Sequence, residues 1–379
     1  DELRAAQDSI DKDEMVEDTD MLAPEEILAG HDNDVEEMSF ERLNEVNEAM
    51  LEIPSDFNMF KKLKNVLEKR REPFTDKEKR VDWAHAEALA FATINQDGTP
   101  IRLSGQDTER GTFAHRHAVL HDVETGEKHY PLHNTPNSSA SFNIYNSPLT
   151  EAAVVGYEYG YNIENNDAMV IWEAQYGDFA NMAQVYFDNF VFSSRSKWGE
   201  ASGITFLLPH AQEGQGPEHS SARLERFLDL AAESNMTVAN LTSTSNYFYL
   251  LRRQAKYLGT DKMRPLVIMS PKSLLRNQRV AQPVDAFVDG SFKEIIVDEY
   301  DKSKISTVLL SSGKMAVDLM DAMDKNKDET KLLIRLEQLY PFPDEQIKEI
   351  LDELPSLKSI RFVQEEPENM GAYQYALPL

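Results

Sequence analysis

Not one cysteine occurs in the 379 residues, which removes disulfides, a thiolate nucleophile and an iron–sulfur cluster from consideration. Long hydrophobic runs are missing as well. No apolar stretch approaches the roughly 18 residues that a membrane-spanning helix needs, and the acidic opening lacks the basic start of a signal peptide. The sequence therefore predicts no membrane partner and a cytoplasmic location. Neither G-x-G-x-x-G nor G-x-x-x-x-G-K-[ST] is present, so Rossmann dinucleotide binding and P-loop nucleotide hydrolysis lose their main support. Positive charge is scarce. With 66 acidic against 39 basic residues the formal charge is −27, and such a surface repels phosphate backbones, which argues against nucleic acid.

What is present is enough for folded domains. Hydrophobic residues make up 41% of the chain and aromatic residues 9%, too much for disorder. At roughly 100–200 residues per domain, the length suggests two or three domains. Asp1 stands where an initiator Met would, so the sequence reads as a processed product or a piece of a longer protein. Residues 1–50 hold 18 acidic and 3 basic residues, whereas 51–80 hold 9 basic and 6 acidic. Pro24-Glu25-Glu26 predicts the first turn of a short helix, and Leu43, Val46, Met50 and Leu51 recur at helical spacing. A basic amphipathic helix is expected over 57–71. Thr75 and Glu78 form a capping box, which predicts a helix from there through Trp83, Phe91 and Ala92.

Apolar runs at 168–172, 204–208, 236–241 and 265–269 alternate with helical stretches at 150–162, 178–192, 221–233 and 245–257. That alternation predicts a mostly parallel sheet covered on both faces. A second, shorter α/β series begins near 290, with strands at 304–310, 332–336 and 360–364 and helices at 314–324 and 344–353. The expected domains are an acidic helical linker over 1–79, an α/β domain over 80–275 and a smaller α/β domain over 276–379.

The stretch from 103 to 146 is too polar for an ordinary connection. It gathers His115, His117 and His121 beside Arg116, then His129, His133, Asn134, Asn137 and Ser138, and such a loop in an α/β domain is usually functional. H-x-H spacing permits zinc, but no third ligand stands out and Arg116 would repel a cation, so no metal site is assigned. Glu151 opens a helix after Pro148-Leu149-Thr150. It reads either as a partner of the helix dipole or as a buried carboxylate bonded to a ring nitrogen. Gln175, Tyr176 and Asp178 follow a strand directly, at the end where α/β proteins bind ligands. Tyr176 there either stacks on a planar ring or packs as a lid over the sheet. His210 closes another strand, and His219 lies just before Ser220 and Ser221, either of which can cap the next helix. Ser–His adjacency suggests a hydrolase, but the G-x-S-x-G elbow is absent.

Several long motifs in order carry a resemblance: GQDTERGTFAHRHAVLHD, EAQYGDFAN, LLPHAQEGQGPEHSSARLERFL, MSPKSLLR and EQLYPFP. Over about residues 80–379 the sequence resembles the carboxyl-terminal half of the thiamine-diphosphate-dependent first component of 2-oxoglutarate dehydrogenase complexes. This implies a transketolase-like pyrimidine-binding domain followed by a transketolase C-terminal-type domain. The implied enzyme is an oxidoreductase of the citric acid cycle. It decarboxylates 2-oxoglutarate and passes the succinyl group to the lipoyl arm of a succinyltransferase component. Within that resemblance Glu151 is the glutamate bonded to the pyrimidine ring, Tyr176 the stacking aromatic and Gln175 a further cofactor contact. His117, His210 and His219 become catalytic candidates, and His115, His117 and His210 substrate contacts. A locally basic pocket of His115, Arg116, His117 and His121 is expected to receive the dianionic substrate. The G-D-G…N pattern that would bind magnesium is missing, so the resemblance assigns Mg2+ and the diphosphate to an absent amino-terminal half and implies a homodimer. Ala211 departs from the family, which often has Gly after this Pro-His. The alternatives are another thiamine-diphosphate enzyme (a pyruvate or branched-chain 2-oxo acid dehydrogenase component, or a transketolase) and a non-catalytic structural half.

Overall fold

The computed structural model describes residues 35–213 and 216–379, so the short helix expected at Pro24 lies outside the described residues. Helix α1 spans Phe40–Met50. The Ser39 hydroxyl caps it by accepting from the Arg42 amide, and Leu43, Val46 and Met50 bury the face that the spacing predicts. Helix α2, Lys61–Glu68, is shorter than the expected basic helix. It buries Leu67 and leaves Phe60 and Val66 exposed at its start and flank.

Helix α3, Trp83–Gln96, does not begin at the predicted capping box. Asp82 caps it, its carboxylate accepting from the His85 amide at 2.9 Å. Thr75 instead ends a single turn, Glu72–Thr75, where its hydroxyl bonds back to the Glu72 carbonyl. Asp82 offers the same three-residue reach seven residues later, beside the apolar run that actually enters the core.

Among the described residues, thirteen strands follow. In chain order they are β1 Ile101–Gly105, β2 Leu120–His121, β3 Lys128–His129, β4 Phe142–Asn146, β5 Met169–Glu173, β6 Thr205–Pro209 and β7 Thr237–Ala239. Then come β8 Leu266–Ser270, β9 Ile295–Val297, β10 Thr307–Ser311, β11 Lys331–Leu336, β12 Gln338–Tyr340 and β13 Ser359–Phe362. The main sheet runs β12-β7-β8-β6-β5-β1-β4. It is parallel except for β12, which pairs antiparallel with β7. The smaller sheet runs β13-β10-β11-β9, with only β9 antiparallel.

Covered on both faces, β5, β6 and β8 carry unbroken apolar runs at Met169–Trp172, Phe206–Pro209 and Leu266–Met269, as buried parallel strands require, with polar residues only at their ends. Helices α3 and α6 (Thr244–Tyr257) pack one face around Phe91, Phe248 and Leu251. Helix α4 (Glu151–Glu164) covers the other face around Trp172, Phe187 and Phe206. This second core continues without a break into Val308, Ile334 and Ile347 of the smaller layer. At roughly 1.5–3 kcal/mol for each large apolar side chain buried, the shared core ties the two sheets firmly. Six of these strands, β1–β4, β9 and β12, lie beyond the expected set, and β1 and β4 bracket the polar stretch and carry its ends to the sheet.

Candidate active site

Helix α4 starts where the sequence places it. Glu151 sits half-buried in its first turn after Thr150, at the carboxyl ends of β1 and β5. With Gly105, Gln106, Ser147, Glu173 and Gln175 it lines a small cleft. The Gln106 amide donates to Glu151 Oε1 at 3.3 Å, a long bond that leaves the carboxylate available. Gln175 donates to Asp107 at 2.8 Å, while its Oε1 is buried and meets no donor. The Thr108 hydroxyl and Asp178 Oδ2 are buried in the same unsatisfied state. Buried polar atoms in folded proteins nearly always find partners, so Gln175 Oε1 in the cleft and the Thr108 hydroxyl beside Gly105 of its wall fit a polar ligand.

Tyr176 stands beside them. Its ring lies 4.1 Å from the His219 ring at an interplanar angle of 30°, and Phe113 and Phe179 meet it edge-on at 5.8 and 6.2 Å. Ser220 and Ser221 do not cap the next helix, Leu224–Asp229 (α5). Their amides both donate to Asp178 Oδ1 at 3.0 Å, and the left-handed residue Arg223 stands at the helix start. Asp178 thus fixes the chain just after His219.

The histidine loop divides into separate roles. Arg116 is 4% exposed, and all five of its donor directions are used. Nε and Nη2 reach Glu87 of α3 at 2.5 and 3.1 Å, Nη1 and Nη2 reach Glu173 of β5 at 2.7 Å each, and Nη1 also reaches the Thr108 carbonyl. Tyr247 of α6 donates its hydroxyl to Glu87 at 2.7 Å. Burial works against both carboxylates. Arg116 and the Tyr247 hydroxyl nevertheless hold Glu87 below the usual range, whereas burial leaves Glu173 above it. The expected basic pocket is therefore corrected, because two carboxylates already neutralise the Arg116 charge.

His115 packs over this network, 4.0 Å from Glu173. Burial, with Arg116 adding to it, lowers its pKa to about 3, so the ring is neutral. A Cβ on Gly111, whose φ is +79°, would meet the His115 ring at 2.5 Å; only glycine permits this packing. His117 is half-buried, with Nε2 against the Ala114 carbonyl at 3.0 Å. Burial depresses it first, and the nearby cations of Arg70, Arg110 and Arg276 depress it further. Arg276 donates to the carbonyls of Phe113 and Ala114 at 3.0 Å each. The positive charge near these histidines thus comes from three arginines that the sequence reading did not single out. His121 is turned outward toward Glu109. Farther along, Asn134 bonds the carbonyls of Ala49 and Glu52, which closes the end of α1.

His210 faces away from the Glu151 cleft. Its Nδ1 accepts from the Ala222 amide at 3.1 Å, so the proton sits on Nε2, which donates to Glu366 at 2.8 Å. Both nitrogens are engaged, which leaves neither for a substrate in this geometry. The same tautomer bears on the one cluster among the described residues that could hold a metal, His210 with Glu365 and Glu366. A protonated Nε2 has no lone pair for a cation. Glu87, Glu173 and Glu366 are site neighbours that the sequence reading missed. The lone carboxylate of Glu87, inside the Ala-rich helix WAHAEALAFA, was the signal for the first.

Comparison with known sequences agrees with this geometry. The profile described as "Transketolase, pyrimidine binding domain" matches residues 79–278, more than half of the chain. The chain belongs to that family. Residues 282–379 match the profile described as "2-oxoglutarate dehydrogenase C-terminal". Proteins named "2-oxoglutarate dehydrogenase E1 component" from Staphylococcus aureus strains JH9 and N315 are 59% identical over 377 residues, covering 100% of this chain. The chain spans only 40–41% of those relatives and corresponds to their carboxyl-terminal part. No described helix is long and apolar enough to cross a membrane.

Proposed function

We propose that this chain is the pyrimidine-binding part of a thiamine-diphosphate-dependent 2-oxoglutarate dehydrogenase first component. Within it, residues 80–275 hold the aminopyrimidine and 276–379 form the closing domain. The observation that carries this reading is the Glu151 carboxylate in a cleft with the unsatisfied Gln175 Oε1 and, beside Gly105 of its wall, the unsatisfied Thr108 hydroxyl. That donor and acceptor set fits a flat heterocycle with both kinds of polar edge. Thiamine diphosphate, when bound, supplies the nucleophilic carbon and the electron sink for decarboxylation. Glu151 then holds a proton at a ring nitrogen, and Gln175 orients the ring edge. Tyr176 contributes a ring face. His117 and His219 receive the substrate carboxylates and the transferred group, with His115 as a neutral wall of the pocket. His210 serves the site by holding its loop.

The diphosphate and Mg2+ belong to sequence outside this chain, so the site is completed by the rest of the polypeptide and by a second copy. Tyr157, Met182, Val185 and Phe190 are exposed, and they supply apolar surface suited to that homodimer. The acyl acceptor is a lipoyl group on a succinyltransferase component. The experiment is turnover by the full-length protein with thiamine diphosphate and Mg2+, comparing 2-oxoglutarate, pyruvate and branched 2-oxo acids. We expect 2-oxoglutarate to lead by at least tenfold in kcat/KM. Equal use of pyruvate, or no turnover, overturns the reading.

A further inference from the structure

Lys272 follows β8, outside every motif role assigned above, and its side chain is buried at 4% exposure. Its ammonium donates to the Ala211 carbonyl at 2.8 Å and to the His219 carbonyl at 2.6 Å. These acceptors are the two ends of the connection that leaves β6 and returns toward α5. No carboxylate of the described residues lies within ion-pair distance of it, and burial lowers its pKa. Glu213, Asp178 and Glu365 act on it through space, but an ammonium removed from water without a direct ion pair is still costly, and its two charge-assisted bonds offset that cost locally. The neighbouring Ser273 fastens the same segment, its hydroxyl donating to Glu213 at 2.5 Å. Ala211 also donates its amide to the Ser220 carbonyl at 3.1 Å.

We propose that Lys272 is a positioning residue: it clamps both ends of this connection and so fixes the His219 imidazole against the Tyr176 ring. The backbone at His219 has two side-chain anchors, Lys272 on its carbonyl and Asp178 on the next two amides. Between them the imidazole is left 4.1 Å from Tyr176. The clamp is a property of the fold, and only its effect on turnover rests on the function proposed above. Lysine suits the task because its compact head can reach two carbonyls on separate chain segments.

The test uses full-length protein loaded with thiamine diphosphate and Mg2+, carrying Lys272→Ala or Lys272→Met. Two readouts are taken, hydrogen exchange at the Ser220–Ala222 amides and kcat against KM for 2-oxoglutarate. In Lys272→Ala we expect exchange at least tenfold faster. We also expect kcat to fall by about tenfold to a hundredfold, the range that small misplacements of a site group produce. Ethylammonium, which fits the vacated space, should restore part of both in Lys272→Ala. It should restore neither in Lys272→Met, whose stem still fills that space. Wild-type exchange in both variants, or kcat losses that ethylammonium leaves untouched, overturn the proposal. So does unfolding of both variants, which would make Lys272 a core residue and nothing more. If wild-type protein fails to turn over 2-oxoglutarate while exchange responds as expected, the functional reading falls and the clamp stands.

Discussion

Two regions lie within one loop's reach of each other and solve opposite problems. Beneath the histidine loop, Arg116 satisfies Glu87 and Glu173 with every donor it has, and Tyr247 completes the set. At the Glu151 cleft, Gln175 Oε1 and the Thr108 hydroxyl beside Gly105 are buried with no partner. The first region is finished by the chain itself. The second is finished only by something else, and this difference separates scaffold from site more sharply than residue type does.

The strongest way to break the comparison is to remove the centre of the closed region. Arg116→Met keeps much of the volume but leaves two buried carboxylates without their cation. Losing one partner of a buried ion pair typically costs about 3–5 kcal/mol, and we expect at least that in urea unfolding. A loss below about 1 kcal/mol would mean that Glu87 and Glu173 escape to water. Glu151→Gln acts on the open region and should do the reverse. Unfolding should stay within about 0.5 kcal/mol of wild type, while turnover by the full-length protein falls by about 10²–10⁴-fold, the usual worth of a positioned acid or base. Loss of stability without loss of turnover would make Glu151 a helix-dipole partner after all.

A smaller effect follows from His115, which packs over the closed region, although its own buried Nδ1 has no partner. The folded ring has a pKa of about 3, below the roughly 6.5 of an unfolded histidine. Between those values the unfolded chain binds the extra proton, so stability falls as pH drops from 6.5 toward 3. His115→Gln removes this component. From pH 7 to pH 5 the variant should lose about 2 kcal/mol less than wild type, read from urea midpoints at the two pH values. Parallel losses would show that the buried ring already accepts a proton at pH 5.

How much of this was legible follows the same division. The central strands announced themselves because burial on both faces demands unbroken apolar runs, as in Met169–Trp172 and Leu266–Met269. Glu151 was legible as a helix start because Pro148-Leu149-Thr150 stops one element and begins another. Strand β4 was not, since an edge strand with only Phe142 and Ile144 buried looks like polar loop. The partners of Arg116 come from α3 and β5, and Glu366 meets His210 from 156 residues away. No local spacing encodes such meetings. Position 116 looked like a substrate cation because the sequence displays its charge and hides its neighbours. Likewise β12 joins the main sheet from the far end of the chain, so the boundary read from composition crosses a strand pairing that composition cannot register.

The finest discrimination between the regions comes from deleting one hydroxyl in each. Tyr247→Phe removes one of the three donors to Glu87 and leaves Oε2 with Arg116 Nη2 alone, and losing a buried hydrogen bond to a charged group costs about 1.5–3 kcal/mol. Thr108→Val removes a hydroxyl that has no partner to lose, and it puts a methyl group of nearly the same size in a position that is 0% exposed. In cofactor-free protein its effect should therefore lie within about 0.5 kcal/mol of zero, or be slightly stabilising. With thiamine diphosphate added, the ranking should change, because ligand binding stabilises whatever it binds in proportion to affinity. Wild type should gain more in thermal unfolding than Thr108→Val, whereas Tyr247→Phe should gain as much as wild type does. Equal gains in all three proteins would mean that the Thr108 hydroxyl is left unsatisfied with the cofactor in place, and that an orphaned polar atom at this rim marks packing and not a ligand.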